Sequence, residues 1–137
     1  MTTPYQAGYR LPFPCLHIFL FNDTGRLGPL RALVDTGADA TIVPIDFLLR
    51  VRAEESGWAG LHPFMGETKR VQKYLIDIQV DTWVLPGIYV VADPTGQELI
   101  LGRDVLNKLP LFLDGPEQQT DLLDDAAVKR LRARRKT

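Results

Sequence analysis

In Ala32-Leu33-Val34-Asp35-Thr36-Gly37-Ala38-Asp39-Ala40-Thr41-Ile42-Val43-Pro44 an apolar run leads straight into Asp-Thr-Gly. A carboxylate is thereby expected at the inner end of a buried strand, where packing alone would favour Val or Leu. A lone charge there is costly. The cost falls if a second carboxylate lies opposite and the two share one proton, because like charges in contact cannot both ionise. Such a pair can activate a water as base while presenting an acid to a substrate. The tripeptide alone proves little, since Asp23-Thr24-Gly25 is a second copy. That copy follows Asn22 in a polar segment with turn composition and has no apolar strand before it, so it reads as a structural turn. The two copies are also too close together to be the paired sites of a duplicated two-lobed enzyme.

Outward from this stretch the chain reads as many short strands. Cys15-Leu16-His17-Ile18-Phe19-Leu20-Phe21 predicts a strand, with residues 30–34 as its return across the Asn22 to Gly25 turn. Residues 42–44 form a further short strand, and Ile45, Leu48 and Leu49 follow at helical spacing. Residues 53–68 mix glycines and polar groups with Trp58, Leu61, Phe64 and Met65, and predict a mobile loop with apolar tips. From Tyr74 to Val80 the alternation of Ile76, Ile78 and Val80 with Asp77 and Gln79 is that of a half-buried strand. Residues 84–85 and 88–91 read as two strands about a Pro86-Gly87 turn. Leu99-Ile100-Leu101 is another apolar run, residues 102–109 have helical spacing ended by Pro110, and 111–113 is a last strand. Early acids and late bases predict a helix over 121–134. The expected architecture is mainly β. Residues 1–14, with three prolines, read as an extended arm that wraps or pairs with something else rather than as a regular element, 15–115 as the domain, and 116–137 as a charged helical tail.

At 137 residues, 45% of them hydrophobic, the chain fits one domain with one core. Its apolar runs are too short to span a membrane and no secretory signal is visible, so a cytoplasmic protein is expected. A single cysteine, Cys15, excludes an internal disulfide. The net charge of −1 hides a split: 121–137 carries three acids and six bases, leaving an acidic body. A nucleic-acid partner is therefore disfavoured, and the tail reads as a solvated helix end. His17 and His62 lack partners for a metal site.

Asp35-Thr36-Gly37-Ala38-Asp39, with its apolar lead-in and the downstream Leu99-Ile100-Leu101-Gly102-Arg103-Asp104-Val105-Leu106, resembles the retropepsin family of aspartic proteases. These are the dimeric enzymes of retroviruses and their cellular relatives. The resemblance implies a closed β-barrel with one or two short helices, to which the C-terminal helix is added. It also implies an endopeptidase without metal or cofactor that acts on extended, hydrophobic polypeptide segments. Asp35 matches the catalytic aspartate, Thr36 the threonine whose hydroxyl bonds across the dimer, and Gly37 a carbonyl that contacts substrate. Ala38, Asp39 and Ile100 match substrate-lining positions. Arg103 matches the arginine that pairs with the Asp39 carboxylate as a buried support, and Gly102 closes the strand beneath the catalytic loop. Leu61, His62, Pro63, Phe64, Met65 and Gly66 fall in the flap, which here has only Gly60 and Gly66 where the family has several glycines close together. The C-terminal strand that interleaves with its partner in the viral enzymes matches residues 111–113.

One such aspartate per chain requires a homodimer. The alternative is a dimeric peptide-binding module of the same fold without useful proteolysis. Asp104 reads as an exposed helix residue, and Trp58 as either core packing or flap lining.

Overall fold

The alternation from Tyr74 to Val80 is realised in a computed structural model that describes residues 1–62 and 66–136. Tyr74, Ile76, Ile78 and Val80 are all buried, each burial worth roughly 1.5–3 kcal/mol. In chain order the strands are β1 (Thr2–Pro4), β2 (Cys15–Phe21), β3 (Arg26–Val34), β4 (Ile42–Pro44), β5 (Glu54–Leu61), β6 (Lys69–Val80), β7 (Trp83–Asp93), β8 (Leu99–Leu101), β9 (Leu111–Asp114) and β10 (Gln119–Leu122). The helices are α1 (Ile45–Arg50), α2 (Arg103–Leu106) and α3 (Asp125–Arg134).

The order β2-β3-β8-β4-β7-β6 closes on itself because the end of β6 also pairs with β2, Leu20 opposite Ile78. Six strands thus form a closed barrel, as expected. Leu16, Ile18 and Leu20 from β2, Val43 from β4, Val90 from β7 and Leu99 and Leu101 from β8 fill it. β5 pairs with the other half of β6, so the β5–β6 hairpin reaches past the closed ring. A separate sheet, β1-β10-β9, stands beside the barrel.

Four local expectations are corrected. Within 53–68, residues 54–61 are the strand β5 rather than loop, held by its ladder to β6. Pro86-Gly87 is not a turn. It lies inside the continuous β7, where Gly87, at φ 68°, donates its N–H to Asp77 Oδ1 at 2.8 Å. The reversal occurs at Asp81-Thr82, between the paired Val80 and Trp83. The N-terminal arm does pair, as expected, but as a regular strand, β1 against β10. Finally, 119–122 is strand, because Leu122 is buried, and the helix starts only after Asp124, whose carboxylate caps it by accepting from Ala127 N–H at 2.8 Å.

The Asn22 to Gly25 turn forms as expected: Asn22 Oδ1 accepts from the N–H groups of Thr24 and Gly25 at 2.9 and 3.0 Å. Cys15 is buried, which pushes its thiol pKa up and leaves it an inert core group. Among the described residues no helix is long and apolar enough to cross a membrane.

Candidate active site

β3 ends in the buried Ala32, Leu33 and Val34, paired in parallel with β8 through Val34 and Leu101. The backbone then leaves the sheet at Asp35, whose N–H still donates to the Leu101 carbonyl at 3.1 Å. The Asp35 side chain is half-buried, and its Oδ1 accepts from Gly37 N–H at 2.9 Å. A tight loop is thereby defined, closed by Ala38 N–H donating to the Asp35 carbonyl at 3.2 Å. One carboxylate oxygen is engaged by the loop while the group stays reachable from outside.

α2 braces the loop from below. Arg103 N–H donates to the Ala38 carbonyl at 2.8 Å, and its guanidinium donates to the Thr36 carbonyl at 2.7 Å and pairs with Asp39. The Arg103–Asp39 pair forms, but the Asp39 side chain is 88% exposed, so in the single chain it is not the buried support expected. An exposed pair of this kind adds little stability by itself. The Thr36 carbonyl bond gives Arg103 a second hold on the loop.

The buried support comes from Asp104, expected to be an exposed helix residue. It is half-buried and accepts from Thr41 N–H at 3.1 Å and from the Thr41 hydroxyl at 2.8 Å. Thr41 is fully buried, and its Oγ in turn accepts from Gly102 N–H at 3.1 Å. Asp104, Thr41 and Gly102 therefore knit the two sequence motifs together. A polar residue within each apolar motif was the available signal. Asp104→Ala strands two buried donors of Thr41 and is expected to lower unfolding stability by about 2–3 kcal/mol. Denaturant titration checks it, and a change below about 0.5 kcal/mol would contradict the role.

Ile100 lies half-buried at the centre of β8, opposite both Leu33 and Ile42. It shares that short strand with Leu101, which bonds Asp35. On the hairpin, Leu61 is half-buried and pairs with Lys69, while His62 is exposed with its Nδ1 2.8 Å from the Thr68 hydroxyl. Gly66 is exposed at φ 112°. Pro63, Phe64 and Met65 lie outside the described residues. Trp58 is 55% exposed with Arg70 stacked 4.8 Å from its ring centre, so it is not core packing. A hollow between α1 and the turn at 94–97 is lined by none of the candidate residues. Asp35 itself is half-buried. Those residues hold no cluster of three or more metal-ligating side chains.

Three comparisons bear on this geometry. The family model described as retroviral aspartyl protease matches residues 12–114. Among solved structures, a retropepsin-like aspartic protease from Rickettsia conorii superposes with a TM-score of 0.60 at 10% identity, covering 89% of this chain and 88% of that one. At this identity the likeness speaks for the fold. The EIAV protease complexed with the inhibitor HBY-793 gives 0.49 at 22% identity over 77% and 93% of the two chains. The retroviral protease-like domain of Ddi1 from Leishmania major gives 0.46 at 16% over 80% and 88%. Comparison with curated proteins gives no match.

Proposed function

Since the chain belongs to the retroviral aspartyl protease family, we propose that it is an aspartic endopeptidase working as a homodimer, with Asp35 of each subunit facing the other across a two-fold axis. The observation that carries this reading is the setting of Asp35: it stands at the end of a buried strand, its carboxylate accepts from Gly37 N–H, its own backbone N–H donates to the Leu101 carbonyl, and its side chain stays partly exposed. That is half a site. A second copy brought up by symmetry supplies the other carboxylate and encloses both.

In the dimer a water lies between the two carboxyl groups. The ionised one takes its proton as the oxygen attacks the peptide carbonyl, and the protonated one donates to the developing oxyanion. The proton then passes to the leaving amine. Thr36 holds the two loops together, and Gly37 offers its carbonyl to the substrate backbone. The substrate lies extended, like an added strand, with Ala38, Asp39 and Ile100 along its side chains. The β5–β6 hairpin closes over it and excludes water. Arg103 and Gly102 keep the loop in position from beneath.

Solution mass measured beside cleavage of a peptide library, from acid to neutral pH, tests the reading. The expected result is hydrolysis that is blocked by a transition-state mimic and falls more steeply than protein concentration on dilution. A stable dimer that cleaves nothing across that range would overturn the enzyme and leave the peptide-binding module.

A further inference from the structure

α3 follows the last strand and lies beyond residues 12–114, which the family model covers. Asp124 caps its start, and just before it Leu123 N–H donates to the Pro110 carbonyl at 2.9 Å, which anchors the chain entering the helix. Ten residues are too few for an isolated helix to be more than marginal in water, so a helix of this length normally draws its stability from a packed apolar face. None of the ten is buried. α3 therefore stands on the fold with its packing incomplete.

The incomplete side faces a groove. Val128, Leu131, Arg132 and Arg135 follow one another at i, i+3, i+4 and i+7, one face of a helix, and all four line a hollow of about 390 Å³. Its opposite wall is Pro110, Leu111 and Leu123. Leu111, Leu123 and Val128 are half-buried, and Leu131 is 49% exposed. Covering such apolar surface with a further chain is favourable by about 25 cal/mol per Å².

The charge on this groove has one sign. Arg132 and Arg135 are exposed, no carboxylate shares the lining with them, and among the described residues neither is in an ion pair. Asp125 lines the adjoining hollow together with Arg132 and Lys108, so one acid meets two bases there. A helix dipole accounts for bases in a last turn on any side of the helix. It does not account for two of them on the side that carries Val128 and Leu131. Residues three apart on a helix are neighbours, with about 5–6 Å between their Cβ atoms. That is close to the roughly 6.6 Å between same-side residues of an extended chain.

We propose that this groove binds an acidic, apolar segment of a partner polypeptide. Leucine- or phenylalanine-like side chains of the segment lie against Leu111, Val128 and Leu131, and its carboxylates sit on Arg132 and Arg135. Guanidinium groups bind carboxylates bidentately, which fixes register as well as adding attraction. A nucleic acid answers the charge but not the hollow, whose lining offers bases no aromatic ring to stack on. Insertion in a bilayer needs apolar residues on an outward face, whereas those of α3 line a recess against Pro110 and Leu111. The groove shares no residue with the proposed catalytic site, so binding there goes beyond the proposed hydrolysis and stands without it.

Fluorescence polarisation of a labelled peptide, Glu-Leu-Glu-Phe-Leu-Glu, titrated with the full chain tests it, the peptide's mass being checked after each titration. Lys-Leu-Lys-Phe-Leu-Lys is the charge-reversed counterpart. Saturable binding of the acidic peptide alone is expected. Arg132→Glu combined with Arg135→Glu is expected to weaken it at least about thirtyfold and to confer binding of the basic peptide. Leu131→Gln keeps helix propensity and every charge, and is expected to weaken it roughly tenfold. All three side chains are exposed, so circular dichroism should stay that of the wild type. No binding of the acidic peptide at millimolar concentration, or binding that these variants leave unchanged, overturns the site. So does a Leu131→Gln chain whose mass falls from dimer to monomer, because the groove is then a contact between copies. Retention on DNA or on phosphatidylserine vesicles that needs the arginines but not Leu131, without peptide binding, assigns the helix to a polyanion and equally sinks the polypeptide partner. The readout is binding, so a chain that hydrolyses nothing leaves the proposal standing.

Discussion

Asp35→Asn is expected to reduce peptide hydrolysis by at least about 10⁴-fold while leaving the fold intact. The reason lies in what the substitution keeps and what it removes. Asn preserves the shape of the side chain and an oxygen that accepts from Gly37 N–H, the bond that sets the loop, so neither the turn nor the strand beneath it loses a partner. It removes the carboxylate proposed to take a proton from water and return it. Both subunits change at once, so no ionisable carboxyl remains at the proposed dyad. The experiment compares turnover on a cleaved peptide with the denaturant midpoint of the same preparations. Turnover within tenfold of the wild type would take Asp35 out of the chemistry. A collapse of stability alongside turnover would assign it a structural role instead.

Gly102→Ala is expected to cost at least about 3 kcal/mol of unfolding stability, and activity with it. Gly102 is at φ −91°, which any residue adopts, so backbone freedom is not the issue. Space is: a Cβ there would lie 2.6 Å from the carbonyl carbon and oxygen of Ala40 and 2.9 Å from the Ala38 oxygen. These are backbone atoms of the loop that follows Asp35 and cannot swing aside as a side chain can. Relief would require moving 38–40 or breaking the bonds by which Gly102 and Arg103 hold Thr41 and Ala38. Gly115→Ala is the control, because nothing lies within 4 Å of its added carbon. It is expected to change stability by less than about 0.5 kcal/mol. If the two variants melt alike, the close approach of α2 to the loop carries no energy.

Residues whose environment is written in their nearest neighbours along the chain were legible. The alternation of β6, the apolar run of β2 and the Asn22 turn each follow from side chains a few positions apart, and the structure places them where that periodicity puts them. β5 was not legible. Glu54, Glu55, Gly57, Trp58 and Gly60 are all exposed, so no buried face imposes a period of two, and the strand exists because β6 offers it a ladder. Pro86-Gly87 misleads for the same reason. The dipeptide is a turn former in isolation, but pairing on either side of it carries β7 through, with Pro86-Gly87 absorbed as a register shift opposite Asp77.

Family, barrel class and the position of a carboxylate after an apolar strand were all carried by local pattern: which residues are apolar, at what period, and which short motifs follow them. The bracing of that carboxylate was decided only by the folded chain. Asp104 and Thr41 are 63 positions apart, and whether an aspartate on a short helix faces water or a buried threonine depends on how β8 returns beside β3. The open edge of β9 is likewise a property of neighbours. Leu-Phe-Leu-Asp reads the same whether its backbone is paired on one side or two, and only the sheet shows that, among the described residues, β10 alone pairs with it.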